Sequence, residues 1–258
     1  MKRIHSSAIV DPKAEIADEV EIGPYSIIDA HVHIGRGTVV GPHVVIKGFT
    51  EIGERNRIFQ FASIGEVNQD LKYRGEETRL KIGNGNTIRE YVTMQIGTVT
   101  GRSETTIGDR NLFMVYSHVA HDCEIGNDCI LANCATLAGH IRIEDGAIIG
   151  GLAGVHQFCR VGTMAIIGGC SKIVQDIPPY MMADGHPAKV RGVNLEGLRR
   201  KEFSRESVKE IKAVYKTLYH SKMNTAQALA HLKEEYPSSA CVRAVIEFIE
   251  ASHRGIAR

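Results

Sequence analysis

From Ile4 to Ile64 an aliphatic residue occupies every sixth position without exception: Ile4, Val10, Ile16, Ile22, Ile28, Ile34, Val40, Ile46, Ile52, Ile58 and Ile64. A second run keeps the interval from Ile107 through Phe113, Val119, Ile125 and Leu131 to Ile173. An α-helix repeats its buried face at about 3.6 residues and a strand at 2, so a strict six fits neither element alone. It fits a solenoid in which a short strand and a corner form one side of a triangular coil. Three hexads then close a coil of about 18 residues, and coils stack at the strand spacing of about 4.8 Å. The fourth position after most of the aliphatics is small or β-branched in both runs, as at Val20, Ser26, Val32, Thr38 and Val44, then Ser117, Cys123, Cys129 and Ala135. Both series are expected to point inward.

The period is interrupted twice. The polar stretch 66–81 (EVNQDLKYRGEETRLK) is expected to bulge from one coil, with Ile82 resuming in register 18 residues after Ile64; 95–106 (QIGTVTGRSETT) is a second break, after which the count restarts at Ile107 with a shift. Loops thrown out of a rigid scaffold often carry function, the alternative being solvated decoration. After Ile173, Pro178 and Pro179 forbid ordinary strand or helix continuation. Helical spacing then begins: Ser204 can cap a helix carrying Val208, Ile211, Val214, Tyr215 and Leu218, Asn224 or Thr225 another with Leu229 and Leu232, and Ser238 a third with Val242, Val245, Ile246 and Ile249. The chain thus divides into a solenoid, residues 1–193, and a small helical domain, 194–258, expected to cap the open end of the coil.

A formal net charge of +1 argues against a strongly basic nucleic-acid binder. The start, MKRIHSSAIVDP, lacks a long apolar signal core and no stretch reaches 18 apolar residues, so a cytosolic protein without a membrane span is expected. Of the six cysteines, Cys123, Cys129 and Cys159 fall on the small inward position, and no CxxC pair occurs, which suits small buried residues in a reducing compartment.

Five of the twelve histidines fall between His118 and His186. Residues 18 apart become neighbours in the coil, so His121, Gly139 and Gln157 should form one column and Asp122, His140 and Phe158 the next. An imidazole with an ordinary pKa near 6.5 can take a proton from a hydroxyl at neutral pH. The N–H of Gly139, about one coil spacing away, can then stabilise an oxyanion at an attacked thioester, and a glycine lets the carbonyl approach closely. Asp122 can orient His121, provided a corner relaxes the rule that strand neighbours point opposite ways. Two other readings remain: polar residues at a subunit interface, and a zinc site. Against zinc, the column mixes Gly139 and Gln157 among the ligands, and no resident metal or other cofactor is expected.

At HVAHDC (118–123), LAGH (137–140), VHQFC (155–159) and GVNLEGLRR (192–200) the chain resembles the UDP-N-acetylglucosamine O-acyltransferase family of lipid A biosynthesis along nearly its full length. The resemblance implies a left-handed parallel β-helix, a hand that periodicity does not give, and a homotrimer. It implies transfer of an (R)-3-hydroxyacyl group from acyl carrier protein to the 3-hydroxyl of the UDP-sugar, with His121 as general base and Gly139 supplying the oxyanion contact. It also assigns Asp70 and Lys72 to sugar and phosphate contacts, His118, His140, His156 and Gln157 to the sugar pocket, and Asn194, Glu196 and Arg200 to the nucleotide and diphosphate. Chain-length control is placed near Gly169, which with Gly151 forms a side-chain-free column. Two departures from the family pattern are His186, one place before the usual histidine, and Lys201, where arginine is common. Lys172, Lys189, Arg191, Arg199, Arg200, Lys201 and Arg205 are expected to form a landing area for an acidic carrier protein, the alternative being solvated surface charges. The competing assignments are a zinc hydro-lyase on the same fold, a non-catalytic scaffold, and the N-acyltransferase of the same pathway, disfavoured by the LEGLRR tail and by the absence of an N-terminal uridine-binding domain.

Overall fold

The computed structural model covers residues 1–258 and is a left-handed parallel β-helix followed by four helices. Two-residue strands such as Arg3–Ile4, Ile9–Val10 and Glu15–Ile16 alternate among three parallel sheets, here faces A, B and C. Arg3 pairs with Glu21, Ile9 with Ile27 and Glu15 with His33, so an uninterrupted coil takes 18 residues. Both inward series fill the interior: Ile22, Ile28, Val40 and Ile46 alternate with Val20, Ser26, Thr38 and Val44, all essentially inaccessible. The exception is the first coil. Ile4 is 43 % exposed because no coil lies beyond it.

Three further inward positions are asparagines. The side-chain oxygen of Asn56 accepts the backbone N–H of Asn86 (2.8 Å), Asn86 that of Asn111 (2.8 Å), and Asn111 that of Cys129 (2.7 Å). A buried amide is tolerated there because each coil satisfies the next.

The first interruption differs from the expectation. Ile82 pairs on face C with Ile52, not with Ile64 on face B, and the coil there takes 30 residues. Twelve residues beyond one coil are therefore extruded, between the strands Ser63–Glu66 and Arg79–Ile82. The second break lengthens its coil to 25 residues, with Ile107 opposite Ile82, and is narrower than expected because Thr93–Gln95 and Glu104–Ile107 are strands. The two segments meet: Asn68 Nδ2 and Thr78 Oγ1 both donate to the Gly97 carbonyl.

Beyond the prolines the chain makes a hairpin, Met181–Gly185 with Ala188–Val193, that extends face A by pairing with Ile166 and Ile167. Helix α1 (Leu195–Arg200), which periodicity did not predict, is capped by Asn194. Helices α2 (Arg205–His220) and α3 (Thr225–Glu235) are capped by Ser204 and Asn224; α4 (Ala240–Glu250) is capped by Ser239, not Ser238. Arg160, which donates to the Phe248 carbonyl and lies over that ring at 4.2 Å, ties the helices to the final coils. No helix is long and apolar enough to cross a membrane.

Candidate active site

Each coil turns three corners, and the residue that makes the turn usually has a left-handed backbone. Between faces B and C these residues are Asp122 (φ 58°), His140 (φ 61°) and Phe158 (φ 65°). A left-handed residue breaks the alternation of a strand, which is why Asp122 and His121 can face each other although adjacent in sequence. His121 Nδ1 lies 2.8 Å from Asp122 Oδ2. The same carboxylate accepts the Thr98 hydroxyl at 2.6 Å and the backbone N–H groups of Thr98 and Arg102 at 3.1 and 2.8 Å. Burial alone would raise the Asp122 pKa; the hydrogen bonds from His121, Thr98 and Arg102 outweigh it and hold the group at about 2. An ionised carboxylate only accepts, so Nδ1 of His121 carries the proton and Nε2 is left as the acceptor.

Nε2 is directed at Gly139. A Cβ at that glycine would stand 2.6 Å from it, and the Gly139 N–H has no protein acceptor. A free imidazole nitrogen and an unengaged amide therefore lie side by side on adjacent coils. His140 stands edge-on to His121, ring centroids 5.0 Å apart, and stacks on Phe158 at 4.6 Å. Burial lowers the pKa of both His118 and His140, favouring neutral rings; His118 Nδ1 is 2.6 Å from Thr93 Oγ1. The donor atoms of His121, Asp122 and His140 lie within 4.8 Å of one another, close enough for one cation, but two of the three are already engaged with each other.

His118, His121, His140 and Phe158 line a cavity of about 1170 Å³ over face B, bordered on its other side by the first extruded segment. Asp70, Lys72, His118, His121, His140, His156 and Gln157 all border it. Asp70 Oδ1 accepts the Lys72 N–H, which folds the loop tip toward the opening. The remaining sequence candidates lie elsewhere. Gly151 and Gly169 occupy the corner between faces A and B, stacked so that a Cβ on Gly169 would meet the Gly151 carbonyl at 3.2 Å, and neither borders the cavity. Asn194 is a buried helix cap whose amide donates to the Met164 carbonyl at the corner between C and A. Glu196 is drawn to about 2 by hydrogen bonds from Arg199 and Arg200, so Arg200 is paired within α1. His186 is exposed at the hairpin tip. Hexad counting missed Thr98, Gln95, Gly101 and Gln69; the available signal was that both interruptions fall within two coils of His121.

A hexapeptide solenoid with a histidine–carboxylate pair set against a bare glycine amide defines an acyltransferase-type site. A family model described as bacterial transferase hexapeptide matches residues 104–139, and one described as UDP-N-acetylglucosamine O-acyltransferase, domain 2, matches 176–257. Relatives named acyl-[acyl-carrier-protein]--UDP-N-acetylglucosamine O-acyltransferase are 51 % identical in Thiobacillus denitrificans over 258 residues and 48 % identical in Burkholderia orbicola over 262, in each case covering all of both chains. The solved structure of LpxA from Acinetobacter baumannii superposes with a TM-score of 0.96 at 49 % identity, covering 99 % of each chain. The chain belongs to the UDP-N-acetylglucosamine O-acyltransferase family.

Proposed function

We propose that the protein moves an (R)-3-hydroxyacyl group from acyl carrier protein to the 3-hydroxyl of UDP-N-acetylglucosamine, the first step of lipid A biosynthesis. The observation that carries this reading is His121, which borders the cavity, with Nε2 set against Gly139, whose N–H has no protein acceptor, and Nδ1 held by Asp122. Nε2 removes the proton from the sugar 3-hydroxyl as its oxygen attacks the thioester carbonyl. Negative charge forms on that carbonyl oxygen, and the Gly139 N–H meets it where water is partly excluded. Collapse expels the carrier's thiolate, to which imidazolium Nε2 returns the proton. Asp122, ionised throughout, stabilises the imidazolium and keeps the useful tautomer.

The solenoid, 1–193, carries this chemistry, and the tail, 194–258, helps receive the carrier. Lys172 borders the cavity, and Arg199, Arg205, Lys209, Lys212 and Lys216 ring an apolar recess on the helices with Phe203 and Tyr236, a surface suited to an acidic partner. Leu112, Ile130, Ile148 and Ile166 project outward from face A, each only partly covered, as a continuous apolar stripe. Such a stripe supports the homotrimer, in which a neighbouring copy brings Asn194, Glu196 and Arg200, or the Gly151–Gly169 corner, to the cavity that lacks them. A cytosolic location agrees with both soluble substrates.

Incubating the protein with 3-hydroxyacyl carrier proteins of several lengths and UDP-N-acetylglucosamine should yield the O-acylated UDP-sugar by mass spectrometry, and His121→Ala should abolish it. Product made undiminished by His121→Ala would overturn the mechanism. Sedimentation giving a 28.3 kDa monomer would overturn the trimer. Gly169→Met should shorten the preferred acyl chain.

A further inference from the structure

The second interruption has no counterpart in the coil geometry: a hexad solenoid closes in 18 residues, and this coil takes 25. The added chain folds into a tight turn, Gly101 N–H and Ser103 N–H both donating to the Thr98 carbonyl, and that turn closes around one group. Four hydrogen bonds reach the Asp122 carboxylate; three come from this turn and the fourth from His121. The Asp122 N–H in turn donates to Thr105 Oγ1 at 2.9 Å, on the strand that leaves the turn. Gly101 packs against the carboxylate so closely that a Cβ would stand 2.6 Å from Oδ1. Asp122 is 1 % exposed and Thr98 4 %, so no water replaces a lost donor at low cost.

We propose that this turn is a positioning clamp, in which the Thr98 hydroxyl and the backbone N–H groups of Thr98 and Arg102 fix the Asp122 carboxylate against His121 Nδ1. Thr98 touches no reacting atom and acts through Asp122. Its hydroxyl shares Oδ2 with His121, so it sets which lone pair is left for the imidazole and hence the direction in which Nε2 faces Gly139. Gly101 is small so that the turn can close. The proposal rests on His121 being the general base.

The test is a double-mutant cycle. Thr98→Val removes the hydroxyl at constant shape and should lower kcat about tenfold or more, the order of one lost hydrogen bond to a charged group, with KM for UDP-N-acetylglucosamine unchanged. Thr98→Ser should restore kcat. In an Asp122→Asn background Thr98→Val should change kcat by less than about twofold, because the partner it positions has gone. Gly101→Ala, which displaces the carboxylate while leaving every donor present, should lower kcat in the same way. A Thr98→Val enzyme with wild-type kcat, or one whose loss is the same with and without Asp122, would overturn the clamp. Should His121→Ala keep its activity, it is the underlying mechanism that fails; should His121→Ala and Asp122→Asn be inactive while Thr98→Val is normal, only the clamp fails.

Discussion

Two corners of the same solenoid use one backbone shape for opposite purposes. Between faces A and B the left-handed residues Tyr25, His43, Phe61, Tyr91 and Tyr116 stack ring on ring, with centroids 4.7–5.3 Å apart and planes within 14–19° of parallel. Between faces B and C the equivalent residues are Asp122, His140 and Phe158, of which only the last two stack, and the neighbouring column is His121, Gly139 and Gln157. Like placed on like gives a ladder that strengthens the coil and offers a substrate nothing selective. Unlike side chains at the same spacing set an imidazole, a carboxylate hydrogen-bonded to it and a bare amide side by side, the groups proposed above to act as base, orienting group and oxyanion contact. The coil fixes distance, and corner composition decides whether that distance serves stability or chemistry.

The sharpest way to break this contrast is His121→Ala. General-base catalysis contributes roughly 10² to 10⁴ in rate, so a loss of that order in kcat is expected, with the melting temperature unchanged because His121 belongs to neither inward series. Gly139→Ala should follow with a loss near 10²-fold, the order expected when a catalytic group is misplaced by about an ångström. The added methyl would contact His121 Cε1 and Nε2 and turn the ring from its station. Normal turnover by Gly139→Ala would mean that the close approach of these coils is incidental.

The carboxylate supplies a thermodynamic test. Its pKa is lowered in the folded state, from an ordinary 3.8 to about 2, so it stabilises the fold above pH 4 and that contribution is lost as pH falls toward 2. About two pKa units correspond to roughly 2 kcal/mol. Acid unfolding of Asp122→Asn compared with the parent should lack this loss between pH 4 and 2. Parallel curves would show that the hydrogen bonds around Asp122 are weaker than their geometry implies.

Which parts of this were readable beforehand follows from which forces are periodic. Burial repeats every six residues, so the core, the three faces and the stacking of His121 on Gly139 follow from counting. The first interruption defeated the count because Ile82 lies 18 residues after Ile64 by coincidence; the true partner, Ile52, is fixed by pairing that an extruded loop conceals. The Asn56, Asn86 and Asn111 ladder departs from a small-or-apolar rule because hydrogen bonding between coils substitutes for apolarity. Thr98 was invisible for a different reason: its contact with Asp122 depends on how a non-repeating turn folds back, and no period encodes that. Asn194 and Arg200 were recognisable from the tail motif, but one chain does not bring them to the cavity.

The smallest effect concerns the aromatic corner and separates stacking from backbone strain. Tyr91 (φ 59°) lies between Phe61 at 5.0 Å and Tyr116 at 4.7 Å. Stacked aromatic pairs contribute about 0.5–1.5 kcal/mol beyond burial, so Tyr91→Phe should be near neutral and Tyr91→Ala should destabilise by about 1–2 kcal/mol. Tyr91→Gly loses the same stacking but relieves a left-handed conformation that costs an L-residue about 1–2 kcal/mol. Glycine should therefore be tolerated better than alanine, despite its greater freedom in the unfolded chain, and kcat should be the same in all three variants. Alanine proving the more stable would mean that glycine's extra freedom in the unfolded chain outweighs the strain of the left-handed corner. A change in kcat would mean that the two corners are coupled across face B, and that the division between a structural and a chemical edge does not hold.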